Sequence, residues 1–370
     1  MAELQIAVDA AVDFLVGMLN VPSPTGFTAD AVDYTARGFA ALDLPGANIS
    51  ITGKGALLLT LPGRASSARR GVTAHVDTLG LMVRAIKPDG RLKVVPLGGI
   101  MWGSVEMEGV TVRTFDDRRF RGTLLPENPS VHVNAAIQRS ERSASTMEIR
   151  LDERTASAAE TRALGIEVGD FVFVDPRVET SASGFIRGRF LDNKAGIACI
   201  YAALRALYSA GQQPAQDTAV LIANYEEAGH GGYAGWPYEL AELLVVDMGA
   251  LGQDQNSDEF SVSICVRDGG GPYDHAMSSR LRRLAAAHSI AFKPDIYINY
   301  SSDGTAYWRA GGGARVGLIG PGVDASHAYE RTHRDALQHT SHLIARYLLD
   351  ADRANAPNPF HGSQKVVRGP

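Results

Sequence analysis

Cysteine is nearly absent from this chain: 370 residues hold two, Cys199 and Cys265. Each sits among apolar neighbours, and neither has a partner at a metal-binding spacing. The expectation is a pair of buried free thiols in a reducing compartment, not a disulfide scaffold. Long hydrophobic runs are missing as well. No apolar stretch approaches about 18 residues, and Met1-Ala2-Glu3-Leu4-Gln5 has no basic n-region. A spanning helix and a secretory leader are therefore not expected, and the chain reads as cytoplasmic. Nor is there an excess of one charge. The formal net charge is −5, which gives no electrostatic reason to expect nucleic acid or an anionic membrane as partner. The one dense cluster (Asp116, Asp117, Arg118, Arg119, Arg121) mixes both signs and reads as a solvated hairpin.

What is present is an ordinary globular composition, with 45% hydrophobic and 21% charged residues. The length suffices for one large core or two ordinary ones. The most informative stretch is Asn224-Tyr225-Glu226-Glu227-Ala228-Gly229-His230-Gly231-Gly232. It follows Thr218 to Ala223, a short run β-branched at Thr218, Val220 and Ile222, which reads as a buried strand. That strand would deliver two adjacent acids into a loop. Neighbouring strand residues point to opposite sides, so Glu226 and Glu227 are expected to do different jobs. Alone, such a pair is usually a solvated strand end.

Upstream, apolar residues at helical spacing mark a helix within residues 5–20, ended by Val21-Pro22-Ser23-Pro24-Thr25-Gly26. Thr28 and Asp30 can cap a second helix. Strands are expected at 56–61 and 72–76. The latter runs into His75-Val76-Asp77, whose i, i+2 spacing puts imidazole and carboxylate on one strand face. From 82 to about 185, short β-like runs alternate with turns, which predicts an inserted, mostly β domain. A flexible loop is expected at 126–145, a short helix at 156–164, and a return to strand through Gly165 to Asp170. Helical periodicity resumes after Phe190-Leu191-Asp192-Asn193, where Asp192 taken alone is best read as an N-cap. Leu243 to Gly249 reads as another buried apolar strand, ending in the acid Asp247. Further on, strands are expected at 260–266, at Ile296 to Ile298 and at 314–319. Helices are expected at 276–288 and 332–349, and 351–370 reads as a tail.

Carboxylates at the C-terminal ends of successive strands form a pattern, because open α/β sheets bind ligands there. Five candidate ligands lie at such ends or in adjoining loops: His75, Asp192, Glu227, Asp247 and His327. Two histidines and three carboxylates suit a pair of divalent cations of the zinc, cobalt or manganese kind, with one carboxylate bridging. Glu226 is left as an acid for proton transfer, and Asp77 as the group that orients His75.

The chain resembles the co-catalytic di-metal aminopeptidases of metallopeptidase family forty-two. The resemblance is carried, in order, by Pro22-Ser23-Pro24-Thr25-Gly26, by His75 to Val83, and by Gly98-Gly99-Ile100. It continues through Gly165 to Phe171, Leu191 to Gly196, Glu226-Glu227-Ala228-Gly229 and Val246-Asp247-Met248-Gly249. It implies an α/β fold of zinc-exopeptidase type, a mixed sheet flanked by helices. The catalytic domain would be discontinuous, 1–81 and 186–350, around an insert at 82–185 used for oligomerisation and substrate access. One metal would be held by His75, Asp192 and Asp247, the other by Asp192, Glu227 and His327. Glu226 would be the general base and Asp77 the support of His75. The implied partners are short peptides and further copies of the chain, from a dimer up to a dodecamer.

Three departures from the family pattern stand out. Thr78 follows Asp77 where a glutamate is common. Glu227 is followed by Ala-Gly-His-Gly-Gly in place of Val-Gly-Leu-Arg-Gly. His333 rivals His327, which is preferred because it follows its strand and turn directly. These departures resemble a subgroup linked to an N-acetylated glutamine-dipeptide osmoprotectant, N-acetylglutaminylglutamine amide. The expected activity is removal of N-terminal residues by a two-metal-activated water. The alternatives are a di-metal amidase, carboxypeptidase or deacylase acting on N-acylated dipeptides, and a catalytically silent metal-binding scaffold. A carboxylate-pair glycosidase is disfavoured, since adjacent acids on one strand do not readily flank a bond at the ~5–9.5 Å separation such enzymes need. Asp303, Tyr273, His275 and the Gly311-Gly312-Gly313 loop are candidate linings of a specificity pocket.

Overall fold

A computed structural model describes residues 4–351. The tail expected at 351–370 therefore lies, but for its first residue, outside the described residues. The fold is built on a ten-stranded mixed sheet. At its centre four strands run parallel, in the order Thr218–Ala223, Arg70–His75, Glu242–Val246, Arg315–Val323. Three of them are buried at every residue and the fourth at all but its first, Arg315. Burial on both faces is why they read as continuous apolar runs, not as alternating ones. Antiparallel strands extend the sheet on either side, with Leu57–Leu61 and Asn48–Ile51 at one edge and Val262–Asp268 at the other.

The period of two assigns side chains to two cores. Leu244, Val246, Ile319 and Val323 join the helices Val8–Leu19, Leu191–Ser209 and Arg334–Leu349 in one cluster. Leu243, Val245, Val316 and Leu318 join Trp236, Tyr307 and Trp308 in another. Cys199 and Cys265 are buried, free thiols, one in each cluster. Among the described residues no helix is long and apolar enough to cross a membrane.

Six strands close a small barrel in the order Gly80–Ile86, Leu92–Leu97, Met147–Leu151, Arg119–Pro126, Gly109–Arg113, Phe171–Val174. It has its own core of Leu81, Val83, Val94, Val110, Ile149 and Val172. This is the inserted, mostly β unit that the texture of the sequence suggests. The mixed-sign cluster is indeed the exposed tip of a hairpin.

Several local expectations are corrected. Gly165 to Asp170 forms turns, not strand, with Gly165 and Gly169 at positive φ. The loop at 126–145 contains a short 3-10 helix, Ala135–Arg139. The strand placed at Ile296 to Ile298 is Phe292–Ile296 and stops before Ile298. The segment after it is not a loop throughout: Asp303–Arg309 is a helix, capped by Ser302, whose hydroxyl accepts from Gly304 N–H at 3.1 Å. Glu330–His333 is a strand paired with Phe185–Gly188, so the last helix begins at Arg334.

Candidate metal centre

Each of the four central parallel strands delivers a site residue just at or past its C-terminal end. His75 is the last residue of Arg70–His75. Glu226 and Glu227 follow Thr218–Ala223, Asp247 follows Glu242–Val246, and His327 follows Arg315–Val323. Parallel strands leave their exits on one edge of the sheet, which is where ligands collect in such folds. Asp192 comes from the start of Leu191–Ser209. Its backbone is non-helical (φ −75°, ψ 106°), and its carboxylate meets His75 Nε2, His327 Nε2 and Ser326 Oγ and not the backbone N–H groups of the helix. Its carboxylate turns toward the strand ends instead.

Two groups of donor atoms result, each with its atoms within 4.8 Å of one another: His75, Asp192 and Asp247, and Asp192, Glu227 and His327. Asp192 belongs to both. His75 Nε2 lies 3.3 Å from Asp192 Oδ1, and His327 Nε2 lies 3.6 Å from Asp192 Oδ2. His327 Nε2 is also 3.6 Å from Glu227 Oε2. Both imidazoles are anchored at the other nitrogen by a backbone carbonyl. His75 Nδ1 donates to Asp77 O at 3.0 Å and His327 Nδ1 to Gly99 O at 3.0 Å. With Nδ1–H so committed, each ring aims Nε2 at carboxylate oxygens, lone pair against lone pair whenever that nitrogen carries no proton. Lone pairs so opposed repel unless a proton or a cation lies between them.

The electrostatics say the same. Burial opposes charge on His75, but Asp192, Asp77 and Glu226 outweigh it and hold its pKa well above the ordinary value. Asp192 stays low despite burial, because of the His75 hydrogen bond. Burial, together with Asp192, pushes Asp247 up to about 7. Burial, then Asp192, also raises Glu227 well above normal. Crowded, buried acids are relieved either by taking up protons or by a cation between them, and the donors present suit a divalent cation.

Glu226 is outside both groups. Its Oε2 lies 3.7 Å from His75 Nε2. Burial raises its pKa well above normal; His75 opposes this, while Asp247, Asp303 and Glu227 add to it. Contrary to the expectation of alternating strand faces, Glu226 and Glu227 lie past the end of their strand. They begin a 3-10 turn, Glu226–Ala228, and the turn separates them. Asp77, likewise past its strand, holds that turn. Its carboxylate accepts from Glu226 N–H (3.1 Å), Glu227 N–H (3.2 Å) and Thr25 Oγ1 (2.7 Å), and Oδ1 stands 3.6 Å from His75 Nδ1.

His333 lies elsewhere. It contacts Ser183 O at 2.8 Å and caps the last helix by accepting from Asp335 N–H. Two further acids hold the site from behind: Glu330, which reading by residue type passed over, and Asp303, expected only as a pocket lining. Buried Glu330 accepts from Asp192 N–H (3.2 Å) and from His327 N–H (3.1 Å), joining the backbones of two candidate ligands. The only sequence signal was an acid three residues after His327. Buried Asp303 accepts from Gly232 N–H at 2.6 Å and so fixes the segment following Glu227. Packing there is tight: a Cβ on Gly231 would lie 2.3 Å from Asp303 Oδ1.

The donor groups open onto a cavity of about 560 Å³, also lined by Met248, Ala250, Gln255 and the stretch Tyr297 to Ser301. Asp303, Tyr273, His275 and Gly311 to Gly313 do not line it, contrary to expectation.

The two donor groups, set at the strand ends of such a fold, suit divalent cations. Residues 55–343 match the pattern of the M42 glutamyl aminopeptidases. A relative from Bacillus subtilis (strain 168), YhfE, is 43% identical over 342 residues, covering 92% of this chain and 98% of its own; its name assigns it provisionally to the aminopeptidases. The chain belongs to the M42 family and is a peptide-bond hydrolase. Among solved structures, aminopeptidase APDkam598 from the archaeon Desulfurococcus kamchatkensis superposes with a TM-score of 0.82 at 20% identity, over 92% of this chain and 95% of its own. The TET1 peptidase of Pyrococcus horikoshii, described as assembling into a tetrahedron or a large octahedral shell, superposes at 0.79 and 17% identity, over 92% and 99%.

Proposed function

We propose that the chain is an aminopeptidase that removes the N-terminal residue of short peptides with the help of two divalent cations. One would be held by His75, Asp192 and Asp247, the other by Asp192, Glu227 and His327. The observation that carries this reading is the pair of imidazoles, each tied by Nδ1 to a carbonyl and each turning Nε2 onto the shared Asp192. Zinc suits this mixture of imidazole and carboxylate donors; cobalt and manganese accept it too. When bound, the cations supply Lewis acidity toward the scissile carbonyl and make water a stronger acid.

The remaining work falls to the chain's own groups. Glu226, close to the donors but outside both groups, takes the proton of the attacking water and returns it to the departing amine. Its Oε2, 3.7 Å from His75 Nε2 and committed to neither donor group, is available for that exchange. Asp77 keeps Glu226 and Glu227 in register by binding both of their N–H groups. Glu330 does the same for Asp192 and His327.

The unit at 82–185 is read as an insert within a catalytic domain of 1–81 and 186–350. It is proposed as the element of assembly into a homo-oligomer, from a dimer up to a dodecamer, in the cytoplasm. The test is a panel of amino-acid p-nitroanilides with stripped protein given zinc, cobalt or manganese, and Glu226→Gln beside it. Cleavage by the reconstituted protein is expected. In E226Q, kcat should fall by about 10²–10⁴ with bound metal retained. Hydrolysis of an N-acylated dipeptide with no p-nitroanilide cleaved would reject the aminopeptidase reading in favour of a deacylase or amidase.

A further inference from the structure

The chemistry of the cavity wall narrows the substrate, on the premise of the aminopeptidase reading above. Among the described residues, the lining contains no charged side chain apart from the candidate ligands and Glu226. The rest of the lining is neutral: Met248, Ala250, Tyr297, Ile298 and Tyr300, with Gln255, Asn299 and Ser301 as polar but uncharged members.

Acids do lie behind this wall, but they are already engaged. Asp295 accepts from Asn256 N–H (3.0 Å), Ser257 N–H (2.8 Å), Ser257 Oγ (2.6 Å) and Ile296 N–H (2.9 Å). Gln255, with its amide turned to donate to Asp295 Oδ1 (3.2 Å) and Ile296 O (2.9 Å), stands between that acid and the cavity. Asp268 is likewise occupied, by Tyr273, Thr305 and Gly270 N–H, and does not reach the lining.

We infer that this wall is a side-chain subsite for neutral residues, so that the enzyme takes peptides beginning with uncharged side chains and discriminates against acidic and basic ones. A substrate carboxylate here would find no cation apart from the metal groups, which the reacting amide occupies. A substrate ammonium or guanidinium would find Gln255 where a free acid would be needed. Transferring either charge into such a wall unpaired is unfavourable. The conclusion differs from the glutamyl preference in the family's name, which requires a cationic partner for the γ-carboxylate.

The experiment compares kcat/KM of the metal-loaded enzyme on leucyl, methionyl, glutaminyl, glutamyl and lysyl p-nitroanilides. Neutral substrates are expected to exceed both charged ones by at least tenfold. Ile298 is 68% exposed, so charge can be placed on it without disturbing the core. Ile298→Arg should raise the glutamyl-to-leucyl ratio by about tenfold, and Ile298→Asp should raise the lysyl-to-leucyl ratio similarly. Glutamyl or lysyl substrate cleaved as well as leucyl by the unaltered enzyme would overturn the inference while leaving the aminopeptidase reading intact. Ratios unmoved in both variants would overturn it as well, since the wall would then not touch the side chain. Failure to cleave any of the five would reject the aminopeptidase reading itself, and this inference with it.

Discussion

Asp77→Asn isolates the contribution of one buried carboxylate to the turn that carries Glu226. In the native protein Oδ2 accepts from Thr25 Oγ1 at 2.7 Å and from Glu227 N–H at 3.2 Å, while Oδ1 accepts from Glu226 N–H at 3.1 Å. The side chain is fully buried, so water cannot replace a lost partner. An amide has the same shape but a single acceptor oxygen. With that oxygen in the Oδ2 position, Thr25 and Glu227 stay satisfied and the new NH₂ group confronts Glu226 N–H. The opposite orientation orphans two donors and is worse. One buried donor without an acceptor costs about 1–3 kcal/mol, so D77N should be less stable by about that amount. For a domain of this size the midpoint of thermal unfolding should fall by several degrees, at roughly 2–4 °C per kcal/mol. The same change loosens Glu226 and Glu227, and lost support of this kind typically reduces metal affinity or rate by about 10–100-fold. Differential scanning fluorimetry, zinc competition against a chromophoric chelator and p-nitroanilide kinetics measure the three effects. A D77N protein that melts with the wild type and cleaves at its rate would show that these bonds hold nothing in place.

Three other outcomes follow from the geometry. Glu330→Gln leaves one acceptor where Asp192 N–H and His327 N–H each now have one. Its zinc affinity should drop by about tenfold, and an unchanged competition curve would contradict the bracing role given to Glu330. Zinc added to stripped protein should raise the melting temperature progressively, by about 2.7 kcal/mol of stability at a hundredfold excess over Kd; a melting curve indifferent to zinc would remove the case for a cation site. Acid should weaken the fold partly through His342, which burial, with Arg346 and two nearby histidines, lowers to about 4 from an ordinary 6.5. Between those values the unfolded chain binds a proton that the folded chain refuses. This part of the stability is intact above pH 6.5 and declines as pH falls toward 4. H342Q should show a shallower loss in urea midpoints over that window, and an identical slope would discount the effect.

The parts of the fold that could be read in advance are those with local causes. Thr218 to Ala223 and Leu243 to Val246 announce themselves because a strand covered on both faces must be apolar throughout. The barrel shows as alternation broken by turns. Glu330–His333 gave no such signal, because its pairing partner, Phe185–Gly188, is remote in sequence and the strand is too short for a period. Asp303–Arg309 was hidden by Ser301-Ser302-Asp303-Gly304, which reads as a turn; the same Ser302 is in fact the cap that starts a helix. At the site, residue type and position at a strand end brought the donors to attention. What they could not disclose was the bonding behind them. Glu330 and Asp303 act on backbone N–H groups, and a backbone partner leaves no trace in residue identity.

The carbonyl that steadies His327 belongs to Gly99, just beyond the barrel strand Leu92–Leu97, and the fit is close: a Cβ on Gly99 would stand 3.1 Å from the imidazole Nδ1. The smaller unit is thus not an appendage that could be trimmed away from an autonomous catalyst. Cutting it out would release one of the two imidazoles from its tether, and a tilt of the barrel against the sheet would be geared directly to the aim of that ring.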